Sequence, residues 1–342
     1  MLKKITLTLS CLLILPFFTH TIFAKEEKVK VRFGIYIKKL VPDYKEGKFN
    51  TEFYWWMIFD NDSTKTGISN DVITNMEYVN AVDFPIEGFK QEIQETREIE
   101  KNKFYYTGFH QGAFYFNPDF RMYPLDVQTL KISIENSLLP GNQFEISADT
   151  SSYINSKQSR HLWGFSNDLI TNKNESYFFS KSDIEIGKGV YNSNFGDPEF
   201  DPISVYSRID TTIKLNRSFV PYISKLLIPL MIILLLVYFV FYLPAEKIDI
   251  AAGLTVTSLL SAIAFQLAVS GELPEIGYII YIDKIFYTCY FLIALTMAQS
   301  LVTFYLDDSG IESQKLKAKK IDLVFRFLFP LLFFTATILF AI

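Results

Sequence analysis

The chain has 342 residues, 49% hydrophobic and 20% charged, with a formal net charge of −4 and two cysteines. That length holds a soluble domain plus a membrane-embedded one, and the mild acidity argues against nucleic acid as a partner. Cys11 lies near the N-terminus and Cys289 in an apolar segment, so the polar half between them folds without an intrachain disulfide and relies on a packed core.

Residues 1–24 read as a secretory signal. Lys3 and Lys4 open it, an apolar run follows, and Ile22 and Ala24 sit where a signal peptidase accepts modest side chains. An uncleaved anchor is the alternative; either way the chain from Lys25 is exported.

Residues 25–217 are polar and strand-like. In "FNTEFYWWMIFD" the residues Phe49, Thr51, Phe53, Trp55, Met57 and Phe59 share one face, and in "VQTLKISIEN" Gln128, Leu130, Ile132 and Ile134 alternate with Lys131, Ser133 and Glu135. Turn clusters such as "PDYKEG" and "NSLLPGN" separate these runs, which predicts an all-β, immunoglobulin-like antiparallel sandwich. The charged run "KQEIQETREIEKNK" reads as a solvated strand pair or connection. Signals for catalysis are thin. His110 and His161 lack metal-ligand spacing. "DNDSTKTGISND" has Lys65 where a calcium loop turns on glycine. No catalytic residue, metal site or cofactor is nominated.

Residues 218–342 carry four apolar segments, at 219–243, 248–269, 279–306 and 321–342, each of a length to cross a bilayer. The third connection, "DDSGIESQKLKAKK", holds Lys315, Lys317, Lys319 and Lys320 and reads as cytoplasmic. With the N-terminal domain exported, both termini then lie outside. The second segment differs from the rest. Asp249, Gly253, Thr257, Leu260, Ala264 and Leu267 recur at steps of four or three and share one helical face, with Glu246 at the same mouth. Such a face suits a close helix–helix contact, since small residues favour one in membranes. Against that, Asp249 and Glu246 cluster at one mouth, and an intramembrane acid faces water or a partner. One helix cannot enclose water, so the second reading requires several copies in a ring.

In motif order the chain resembles the pentameric ligand-gated ion channels, the family of the Cys-loop receptors, and its bacterial members in particular. "FYWWMIFD" and "EYVNAVDF" are similar to the family's early strand and the stretch after it. "DFRMYPLDVQTLKISIEN" is similar to the signature loop, without its two cysteines. "LNRSFVPYISKLLIPL" matches the arginine before the first helix and the proline within it, and "TSLLSAIAFQLAVSGELP" the pore helix. The family's Trp-x-Pro is missing around Met76, and Ala262 stands where one relative carries a pore histidine.

The resemblance implies a homopentamer in a bacterial inner membrane, its N-terminal domain and C-terminus on the periplasmic side. It implies a pore lined by the face named above, with Glu246 and Asp249 as a cation-selecting mouth and Leu260 and Leu267 as gates. Asp126, Arg217 and Pro274 would couple the two domains. Trp56, Trp163, Tyr191 and Phe195 become candidates for an aromatic ligand site between subunits. The partners implied are four further copies, the lipid bilayer, permeant monovalent cations and an unidentified small-molecule or proton agonist. A non-conducting membrane sensor or binding protein of the same fold is the alternative.

Overall fold

The computed structural model describes residues 28–82, 88–149, 164–165, 177–193, 196, 202–218 and 220–341. Ten strands come first: β1 (Val29–Asp43), β2 (Lys48–Asp60), β3 (Met76–Tyr78), β4 (Ile93–Glu100), β5 (Lys103–Tyr115), β6 (Val127–Asn136), β7 (Phe144–Ala148), β8 (Gly164–Phe165), β9 (Tyr177–Tyr191) and β10 (Ser204–Arg217). They form two sheets. One runs β4-β5-β2-β1-β7 with β8 also on β1, and the other runs β3-β6-β10-β9.

The period of two decides which side chains fill the space between the sheets. Phe49, Phe53, Trp55, Met57 and Phe59 of β2 are buried, and so are Leu130, Ile132 and Ile134 of β6. Pairing is not wholly antiparallel as expected, because β7 and β8 run parallel to β1. The chain leaves β6 in one sheet and enters β7 in the other, so it crosses the sandwich instead of turning back in a hairpin. The charged run beginning at Lys90 forms the exposed edge strand β4 and its turn into β5.

A buried polar knot stands in this core. Glu92 places Oε1 2.7 Å from His110 Nδ1, while its Oε2 accepts from Trp55 Nε1 at 2.9 Å and from the Tyr78 hydroxyl at 2.7 Å. His110 is therefore part of the packing, and His161 lies outside the described residues.

Four helices long and apolar enough to cross a membrane follow. We number them α1 (Val220–Tyr242), α2 (Ile248–Ser270), α3 (Tyr281–Asp308) and α4 (Glu312–Ala341). They mark a multi-pass membrane protein. Pro229 cannot donate a backbone hydrogen bond, and α1 widens into a π-turn over Ile223–Leu227 just before it. Of the four, α3 is the most enclosed and α4 the least.

One expectation needs correcting. The lysine-bearing stretch drawn as a loop is the first part of α4, and the connection shrinks to Ser309–Ile311. "ESQKLKAKK" lacks glycine and proline and is rich in helix formers, while Gly310 at φ 71° makes the turn.

A candidate pore face and its junction

Two faces of α2 have different fates. Ala251, Thr255, Ser258, Ala262 and Val269 are buried against the neighbouring helices. The Thr255 hydroxyl turns back to the Ala251 carbonyl at 2.9 Å, and the Tyr290 hydroxyl of α3 reaches the Ala262 carbonyl at 3.3 Å and Gln266 Oε1 at 2.5 Å. At 100° per residue the opposite face holds Asp249, Gly253, Thr257, Leu260, Ala264 and Leu267. All six are exposed in the single chain, Leu260 at 62% and Leu267 at 70%. Asp249 occupies the first turn of α2, where unpaired backbone N–H groups favour a carboxylate, and Glu246 lies exposed in the short turn before it. A face mixing a carboxylate, a glycine and a hydroxyl among leucines does not suit lipid. Ala262 points the other way, at 0% exposure.

The junction between sheets and helices is built on one arginine. Arg217, the last residue of β10, clamps Asp126 with two parallel bonds, Nε to Oδ1 at 2.5 Å and Nη2 to Oδ2 at 3.0 Å. Its remaining Nη1 donates to the Tyr222 hydroxyl of α1 at 2.7 Å. The guanidinium also lies 4.6 Å from the ring centre of Tyr123, 5.2 Å from Tyr222 and 5.9 Å from Tyr44. Gln128 Nε2 adds a bond to Asp126 Oδ2 at 2.5 Å. Both charged side chains are buried, so the pair is held by geometry that water cannot replace. Burial, and then Tyr222 beside it, push the Tyr123 phenol well above its ordinary value.

The loop carrying Tyr123 touches the α2–α3 connection directly. The backbone N–H of Phe120 donates to the Tyr278 hydroxyl at 3.0 Å, and that of Tyr281 to the Arg121 carbonyl at 2.8 Å. Pro274 sits half-buried in this connection. Sequence reasoning missed Tyr44, Gln128 and Tyr222 around the arginine. Tyr44 lies in a turn cluster, and no spacing in the sequence points it at Arg217.

Among the described residues, the two aromatic candidates Trp56 and Tyr191 lie on different sheets. Trp56 lies on the outer face of the first sheet, donating from Nε1 to Asp149 Oδ2 at 2.8 Å. Tyr191 ends β9 on the outer face of the second sheet. Trp163 and Phe195 lie outside the described residues. Trp56 and Tyr191 could share a site only through two adjacent copies.

The chain is 26% identical over 224 residues to the proton-gated ion channel of Gloeobacter violaceus, a match covering 65% of this chain. The resemblance to the pentameric ligand-gated channels is borne out. A pentameric-channel likeness fits the four spanning helices that follow a two-sheet domain. The match spans 55% of that relative's length, and no family profile matches the chain.

Proposed function

We propose that the chain is one subunit of a ligand-gated ion channel, five copies of which surround a pore lined by the open face of α2. The observation that carries this reading is the polarity of that face, exposed opposite a packed one. Five such faces around one axis enclose a water column, which relieves the cost of Asp249 and Thr257 in a membrane helix. The likeness to a proton-gated channel supports the same reading.

In this mechanism five Asp249 carboxylates, reinforced by Glu246, form a ring at the cytoplasmic mouth that concentrates monovalent cations and repels anions. Gly253 and Thr257 leave a narrow hydroxylated passage. Leu260 and Leu267 form apolar constrictions that empty of water in the closed state. A stimulus at the sheets would travel through Asp126 and Arg217 to the connection around Pro274, and so to the head of α2. Residues 1–24 are removed as a signal. Residues 25–217 lie in the periplasm, residues 218–342 in the inner membrane with the C-terminus outside.

Reconstitution tests the proposal. Purified protein in liposomes should run as a pentamer and pass alkali cations under a small-molecule or pH stimulus. The variant Asp249→Lys should shift the reversal potential toward that of anions; an unchanged reversal potential would remove Asp249 from the selecting ring. A pentamer that conducts under no stimulus would favour a membrane sensor of the same fold.

A further inference from the structure

Gln266 stands among apolar residues in "AIAFQLAV" of α2, half-buried and one residue ahead of Leu267. An amide in a membrane helix takes its hydrogen bonds from neighbouring helices. Gln266 finds two partners, both on α3. Its Nε2 donates to Asp283 Oδ1 at 3.1 Å, and its Oε1 accepts from the Tyr290 hydroxyl at 2.5 Å. The same hydroxyl reaches the Ala262 carbonyl, one turn back along α2, at 3.3 Å. Asp283 and Tyr290 are two turns apart on one face of α3, so the amide is held between them.

The partners leave the amide one orientation. A carboxylate only accepts, so the nitrogen must face Asp283 and the oxygen is left for the phenol. A flipped amide would set two acceptors against each other. Asp283 is itself fixed. It lies in the first turn of α3, and its Oδ2 accepts from the Ile280 backbone N–H at 3.3 Å. The next backbone N–H, that of Tyr281, donates to the Arg121 carbonyl at 2.8 Å, so this turn is also the one held by the loop before β6. Among the described residues no cation pairs with Asp283. Lys284 beside it lies 5.6 Å from the ring centre of Phe340 on α4.

We propose that Gln266 is a positioning residue. Held between Asp283 and Tyr290, it fixes the rotation of α2 about its own axis near the α2–α3 connection, and so the side on which Leu267 stands. Leu267 is 70% exposed, while Val269, on the nearly opposite side at about 100° per residue, is buried. Without the amide, α2 keeps apolar contacts at this level, such as the Phe265 ring edge-on to Phe286 at 5.8 Å. Apolar attraction is non-directional and does not choose one rotation. The tie deepens the channel proposed above, and it rests on that reading only for the role of Leu267 as a constriction.

The test uses the full chain in liposomes, lacking Cys11 and Cys289, and two readouts that need no current. One is the rate at which an aqueous thiol reagent labels Leu267→Cys relative to Val269→Cys. The other is the unfolding temperature. With Gln266 present, labelling should favour position 267 strongly. Gln266→Glu sets a second carboxylate against Asp283, and should lose that preference and lower the unfolding temperature. Adding Asp283→Asn exchanges amide and carboxylate between the two helices, leaves Tyr290 and Ile280 with acceptors, and should restore both. Gln266→Leu fills the space without either bond; it should lose the preference too, and Asp283→Asn should not restore it. An exchange that recovers nothing overturns the proposal. So does a preference for position 267 that stays at the wild-type value in Gln266→Glu and Gln266→Leu, which would make the bonds packing alone. If both positions are unreactive with Gln266 in place, the pore reading falls. The unfolding temperature of the exchanged pair then decides the tie, recovery keeping it and no recovery removing it.

Discussion

Arg217 joins the end of β10 to two other elements, the loop holding Asp126 and Tyr123 and, through Tyr222, helix α1. Removing either member of the ion pair leaves the other as a buried charge with too few partners. Asp126→Ala should therefore cost about 3–5 kcal/mol in unfolding experiments. Arg217→Lys keeps the charge but loses the fork, and should lie between that variant and wild type. Exchanging the two charges separates roles: assembly retained with the response to stimulus lost marks a coupling pair, and failed assembly marks a purely structural one. Burial, and then the Glu135 charge, raise the Glu77 carboxyl of β3 above its ordinary value. Its proton stabilises the fold fully below the unfolded-state value, and that contribution fades as the pH rises through the folded one. Melting temperatures of Glu77→Gln should lack this decline relative to wild type.

Each face of α2 carries its own rule. Ala262 is fully buried and its carbonyl already takes the Tyr290 hydroxyl, so Ala262→Leu should overpack the contact with α3 by about 1–3 kcal/mol in thermal unfolding. Ala264→Leu, on the open face, should leave the fold of the subunit unchanged. The face of α2 that carries Asp249 and Leu260 was readable from the sequence, as were the inward residues of β2, because each depends on the spacing of residues within one element. The enclosure of Glu135 was not. Its cover comes from Tyr191 and Arg208 on other strands, and nothing in the alternation of β6 announces them. The lysine stretch ahead of residue 321 was misplaced for another reason. Hydropathy sets where a membrane segment is apolar, and the helix itself extends further wherever its residues favour helix.

At the scale of the whole molecule, the two domains share a core. Phe120 and Tyr123 of the loop before β6 pack in one cluster with Leu226, Leu230, Ile280 and Phe286 of the helices. The Phe120–Tyr278 bond joins the same loop to the α2–α3 connection. The face of α2 holding Asp249 and Leu260 is open in one chain, and what covers it separates a pore from a packed contact. Cysteines placed singly from residue 249 to 269, in a Cys11- and Cys289-free background reconstituted in liposomes, answer this with an aqueous thiol reagent. Positions 249, 253, 257, 260, 264 and 267 should react and positions 251, 255, 258, 262 and 269 should not, with the reaction at 260 and 267 rising under stimulus. If the first set is as unreactive as the second under every stimulus, the face looks at protein or lipid, and a shared water-filled pore is contradicted.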